Sequence, residues 1–192
     1  AGREVQQIKD ALSDQVAGID TLMPQEITGK KLNRILLDGD YDVIHYAGHA
    51  AFDDEKPDLS GLLLWQKEVF FAQKVRRLLE GRPLVFVNAC ESGRTANEEK
   101  PQQLERSLQR PAEGIISSFI YGGAASCIGS VWPVYDQSAA EFAITFYRLV
   151  LEGYMVGEAL RQARLESKSK YPAQITWASF VLYGDPTARL AR

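Results

Sequence analysis

The sequence predicts an α/β fold built on parallel strands, and three observations carry that expectation. Leu84-Val-Phe-Val-Asn-Ala-Cys90 is an apolar run closed by a Glu91-Ser92-Gly93 turn, the pattern of a buried strand rather than a half-solvated one. Val43-Ile-His-Tyr-Ala47 has the same design and is closed by Gly48 and His49. Along the rest of the chain, short apolar runs alternate with segments of helical periodicity, which is the signature of strands crossed over by helices. With 192 residues and neither an internal repeat nor a low-complexity segment, the chain is read as a single domain over residues 1–192 with one sizeable core.

Taken in order, Val5, Ile8, Leu12 and Val16 fall on one stripe, so a helix is expected from about 3 to 17, stopped at Gly18. Ile19 to Leu22 reads as a short strand closed by Pro24. Thr28 is placed to cap a helix carrying Leu32, Ile35 and Leu36, with Gly39 as its stop. After the Val43–Ala47 strand, the polar stretch from Phe52 to Ser60 reads as a loop, Gly61–Trp65 as a short strand, and Val69–Phe71 as its return partner. Val75, Leu78 and Leu79 mark a helix stopped by Gly81. Residues 91–113 form a long polar interval, of the kind that in a compact domain is functional or mobile. A helix is expected over Glu113–Tyr121 and a third buried strand over Ala124–Val131. A helix from an Asp136 N-cap to Gly153 and another over Ala159–Leu165 follow, then a last strand, Trp177–Tyr183.

Composition excludes several classes of function. A formal net charge of −3 and an isoelectric point near 5.5 argue against general binding to nucleic acid or a membrane surface. No apolar run approaches the ~20 residues of a membrane span, and no leader pattern precedes the first helix. The abrupt start at Ala1-Gly2-Arg3-Glu4 is read as that of a piece of a longer protein. Two cysteines outside any Cys-x-x-Cys pattern do not make a disulfide framework and fit a reducing, cytoplasmic setting. There is no Gly-x-Gly-x-x-Gly or Walker pattern to hold a nucleotide.

The chemistry rests on two strand ends. Ligands and catalytic groups collect at the carboxyl lip of a parallel sheet, and this chain offers Cys90 at one such end and His49 at another. A free thiol ionises near ~8.5 and gains nucleophilicity from a neighbouring base. Position alone leaves Cys90 evenly balanced between buried core and nucleophile, and the Glu91-Ser92-Gly93 turn favours the nucleophile. His49 is the base or the acid for the leaving amine; His45, inside its strand, reads as a histidine hydrogen-bonded within the sheet. A zinc site of His45, His49 and a cysteine competes, without an obvious fourth ligand. Cys127 reads as core, and Ser92 and Ser130 have no histidine of their own for a serine hydrolase. Asp136 reads as a helix cap or as a carboxylate in a specificity pocket for a basic side chain.

Five ordered motifs resemble the CHAT domain, a caspase-like cysteine peptidase module. They are His-Tyr-Ala-Gly-His at 45–49, Leu-Ser-Gly-Leu-Leu-Leu at 59–64, Asn-Ala-Cys-Glu-Ser-Gly at 88–93, Ser-Val-Trp-Pro-Val at 130–134, and Trp-Ala-Ser-Phe-Val-Leu-Tyr-Gly-Asp at 177–185. The resemblance implies a three-layer caspase-like fold, a mostly parallel sheet with helices on both faces, and a His49/Cys90 dyad with no cofactor and no obligatory metal. It implies an oxyanion hole from the backbone N–H groups of Cys90 and Ala50, where many relatives have glycine at position 50. A turn needing positive φ would be strained by that alanine. The segment from Ser130 to Asp136 is also similar to its counterpart in separase, which cuts after arginine; on that analogy Ser130, Trp132 and Asp136 line the pocket for a basic residue. The first core strand of many caspase-like domains is expected either upstream of this chain or trimmed away.

The function expected from these readings is a cysteine endopeptidase acting on a protein or peptide substrate. By analogy it sits in a larger bacterial protein with a fused or associated regulatory repeat or sensor region. The alternatives are a catalytically silent caspase-like regulatory domain, with the 91–113 interval over the site, and a thiol hydrolase of a small molecule.

Overall fold

In a computed structural model of the chain, residues 2–51, 53, 56, 59–75, 79, 81–91, 111–132 and 134–190 are described, residues 90, 91 and 111–113 by their backbone. The long polar interval beyond Glu91, with Ser92 and Gly93, lies outside them, as do Leu78 and Pro133.

The helices are α1 (Gly2–Leu12), α2 (Gly29–Asp38), α3 (Ala72–Val75), α4 (Pro111–Tyr121), α5 (Asp136–Leu151), α6 (Val156–Lys170) and α7 (Thr176–Ser179). The strands are β1 (Val43–Ala51), β2 (Gly61–Leu63), β3 (Val69–Phe71), β4 (Leu84–Glu91), β5 (Ser126–Ser130) and β6 (Phe180–Gly184). The strands form one sheet in the order β3-β2-β1-β4-β5-β6. β1, β4 and β5 pair in parallel, while β2 on β1, β3 on β2 and β6 on β5 are antiparallel. Four of the six strands, β3 among them, therefore point the same way, and the sheet is mostly parallel in direction.

Strand alternation sorts the core into two layers, one on each sheet face. Val85, Val87 and Ala89 of β4 meet Leu36 of α2, Val75 of α3, and Ile115, Ile116 and Phe119 of α4. Leu84 and Phe86 of the same strand meet Ile8 and Leu12 of α1, Phe142 and Phe146 of α5, and Leu160 of α6. Burying a side chain of this size contributes about 1.5–3 kcal/mol. Phe86 is the hub of the second layer, its ring centroid 5.1 Å from Phe180 and 5.8 Å from both Phe146 and Tyr147. Among the described residues no helix is long and apolar enough to cross a membrane.

Local signals place several elements as expected. Thr28 caps α2 by accepting from the Lys31 N–H, and the Gly39 N–H closes it on the Ile35 carbonyl. β3 returns against β2.

Other elements differ from the sequence expectation. α1 ends at Leu12, not near residue 17, because Ser13, Asp14 and Gln15 have no apolar position to dock; its buried stripe is Glu4, Ile8 and Leu12, with Val5 only half-buried. Ile19–Leu22 forms no strand. The strand expected over Gly61–Trp65 stops at Leu63, and that over Trp177–Tyr183 begins as a helical turn. Buried hydroxyls anchor this turn: Thr176 Oγ1 lies 2.8 Å from Ser138 Oγ, and Ser179 Oγ donates to the Trp132 carbonyl at 2.9 Å. Tyr135 occupies the cap position of α5 and Asp136 its first turn.

Candidate active site

β1 does not end at Ala47. It runs on through Gly48 and His49 to Ala51, because β2 pairs with His49, Ala50 and Ala51 on one side while β4 continues on the other. Gly48 serves a close approach rather than a turn: a Cβ there would stand 2.6 Å from Tyr46 Oη. That hydroxyl lies 2.8 Å from the carbonyl oxygens of His49 and Leu63, which are register partners across β1 and β2, and its one proton is shared between them. The ring thus straps the β1–β2 pair at His49. Burial pushes its phenol well above the usual value of 10.0, so it stays a donor.

On the other side of β1, the parallel register with β4 sets Tyr46 against Val87, Gly48 against Ala89, and His49 directly against Cys90. His49 is exposed at the lip. Leu84, Phe86 and Asn88 form one alternating row of β4, and Cys90 is the next residue of that row. The chain leaves β1 toward β2 and β3, then returns as β4 on the opposite side of β1. This is the topological switch of an open α/β sheet, where the carboxyl ends of two neighbouring strands open a crevice. The two sequence-selected residues are therefore register partners at this switch point.

Ala50 lies inside the ladder, paired with Leu62 and Glu91. Positive φ among described non-glycine residues is confined to Gln66, Lys67 and Arg82, so alanine at position 50 carries no backbone strain. The β4–β5 register ends at Val87 against Gly129. Beyond it, Ser130 Oγ reaches back to donate to the Ala89 carbonyl at 3.3 Å, bracing the residue before Cys90. Trp132 is half-buried, its indole Nε1 is buried with no acceptor among the described residues, and Asp136 is exposed at the start of α5. These three residues lie at the same lip, since β5 runs parallel to β4. Among the described residues no hydrogen bond joins Asp136 to Ser130 or Trp132.

Cys127 is fully buried on β5, and burial alone pushes its thiol far above the ordinary range. It is core, as expected. His45 differs from expectation: its partners come from the helices rather than the sheet. Nδ1 lies 2.8 Å from Tyr147 Oη of α5, and Nε2 lies 3.2 Å from Glu4 Oε1 of α1. With both ring nitrogens engaged, the zinc set of His45, His49 and a cysteine loses its first ligand. Asn88 of β4 donates through Nδ2 to both Glu4 oxygens at 2.9 Å. Burial and the charge of Glu4 raise the Tyr147 phenol well above 10.0. Sequence patterning does not single out Glu4, Asn88 and Tyr147. The one sign of Glu4 is its spacing of four and eight residues before Ile8 and Leu12.

The sequence model of the CHAT domain matches residues 1–185. The chain belongs to the CHAT domain family. CHAT domains are caspase-like and related to the cysteine peptidases, and the mostly parallel sheet between two helical layers in this CHAT domain is consistent with that three-layer fold. The match covers the whole of α1, so the helix carrying Glu4 belongs to the domain. No curated protein matches the sequence.

Proposed function

We propose that this CHAT domain is a cysteine endopeptidase in which Cys90 is the nucleophile and His49 its acid–base partner. The observation that carries the reading is the direct register of His49 against Cys90 at the switch point of the sheet. In this mechanism the His49 imidazole takes the thiol proton, and the thiolate attacks the scissile carbonyl carbon. The backbone N–H groups of Cys90 and Ala50 hold the oxyanion, an arrangement worth about 10²–10³ in rate per donor elsewhere. Collapse breaks the C–N bond, and His49 delivers the proton to the departing amine. Water, deprotonated by His49, then attacks the thioester, releasing the acid and restoring the thiol.

The substrate in this reading is a protein or peptide, Asp136 beside Ser130 and Trp132 favours a basic residue on the acyl side of the cut, and a fused or associated repeat or sensor region in a cytoplasmic protein controls access. Cleavage of a peptide library is the test. Cys90→Ala abolishes turnover, His49→Ala lowers it by about 10²-fold or more, and Asp136→Ala removes the basic preference. Normal cleavage by Cys90→Ala would remove the assignment. An unchanged preference in Asp136→Ala would remove the pocket.

A further inference from the structure

Glu4 is the one carboxylate in the buried stripe of α1, 3% exposed and in line with Ile8 and Leu12. For holding α1 on the sheet, an all-apolar contact in place of the whole Glu4–Asn88–His45 set would serve as well, since complete buried ionic sets are often replaceable by packed hydrophobic residues without loss of stability. Removing Glu4 alone instead leaves Asn88 Nδ2 and His45 Nε2 unpaired. What a carboxylate adds is direction. Glu4 accepts from Asn88 Nδ2 through both oxygens and from His45 Nε2–H through one, while Tyr147 O–H donates to His45 Nδ1. A neutral His45 with its proton on Nε2 satisfies every donor in this set, a tautomer assigned from the network. Asn88 Oδ1 is buried with no partner among the described residues, so of those residues it is the Glu4 carboxylate that dictates how the amide is turned.

The place of this tie is what matters. The β4–β5 ladder stops at Val87, so the end of β4 that carries Cys90 is held by β1, by the Ser130–Ala89 bond and by Glu4 through Asn88. Asn88 lies two residues before Cys90, and His45 four before His49, about 7 and 13 Å along their strands at ~3.3 Å per residue. One carboxylate from another layer thus fixes both strands just below the dyad. We propose that Glu4 is a positioning residue: through Asn88 and His45 it holds Cys90 in register with His49, so that the docking of α1 sets the reactivity of the site. This rests on the reading of Cys90 and His49 as nucleophile and base.

The experiment is alkylation of the native protein by iodoacetamide, followed by mass spectrometry at each cysteine, with Cys127 as the internal reporter of an intact core. In the wild-type chain, labelling of Cys90 is fast and slows in His49→Ala. Glu4→Gln slows it about ten- to a hundredfold, the scale expected of a misplacement near 1 Å, while Cys127 stays protected. Glu4→Gln combined with Asn88→Asp restores the amide–carboxylate pair and recovers the rate, and peptide turnover follows in kcat with KM held. If Glu4→Gln exposes Cys127, Glu4→Asp keeps the charge and withdraws it by one methylene, and is read in the same way. Wild-type labelling of Cys90 in these variants, with its His49 dependence intact, overturns the positioning role and leaves the dyad standing. A wild-type rate indifferent to His49 overturns the dyad, and the role of Glu4 with it.

Discussion

The two cysteines are separated by their surroundings rather than by their chemistry. Cys127 sits between Val85 and Tyr183 in the sheet, fully buried, its thiol held protonated by desolvation. Cys90 stands at the end of β4 against an exposed histidine. Cys127→Ser therefore leaves cleavage largely intact but puts a hydroxyl where no water reaches. It is expected to lower stability by about 1–3 kcal/mol, read as a lower urea midpoint with an unchanged slope. A fall in cleavage as large as that of Cys90→Ala would show that the wrong thiol has been assigned. The same reasoning made the role of Glu4 visible only in the fold. Its spacing before Ile8 and Leu12 places it on the buried stripe but does not name its partners; Asn88 and His45 reach it from 84 and 41 residues away.

At the scale of the element, β1 is longer than its apolar run because pairing on both sides carries it past Gly48. The glycine is read from sequence as a turn, whereas the structure uses its missing side chain to admit the Tyr46 ring. Gly48→Ala is expected to push Tyr46 off the His49 and Leu63 carbonyls. That should cost about 1–3 kcal/mol by overpacking and slow cleavage, both readable in one thermal scan and one kinetic assay. Tyr46→Phe keeps the ring and loses only the hydroxyl, so its loss should be nearer 1 kcal/mol. By contrast, Thr28→Ala removes the cap of α2, on the sheet face opposite α1. It should cost about 1 kcal/mol with turnover unchanged; an equal loss of turnover would mean that α2 also shapes the site.

For the whole molecule, the two phenols that burial raises most, Tyr46 and Tyr147, are expected to set the alkaline limit of stability. Tyr46 and Tyr147 are both raised above 10.0, first by burial and, for Tyr147, also by the charge of Glu4. In the unfolded chain they ionise near 10.0, whereas in the fold they do not. The stabilisation is therefore fully present below pH 10 and is lost as pH rises from 10 toward their folded values, at about 1.4 kcal/mol per pH unit for each. Tyr147→Phe should flatten the fall of the melting temperature above pH 10. A fall of unchanged steepness in both Tyr147→Phe and Tyr46→Phe would assign the alkaline limit elsewhere.

The sequence by itself determined the α/β class, most of the helices and strands, and the two residues at the strand ends. These depend on short-range patterns: apolar runs that must be buried, a threonine and glycines at helix ends, and a polar stretch of sequence after Cys90. Only the tertiary structure decided the strand order and register that set His49 against Cys90, 41 positions apart, and the early end of α1. It also decided the helical turn at Thr176–Ser179, whose hydroxyls are held by Ser138 of α5 and by the Trp132 carbonyl. Likewise it decided that His45 is bound to helices on either side of it rather than to its own sheet. Pairing between distant strands and the burial of a polar group each depend on a partner supplied by another element. A local pattern can announce the need for such a partner, but only the assembled fold supplies it.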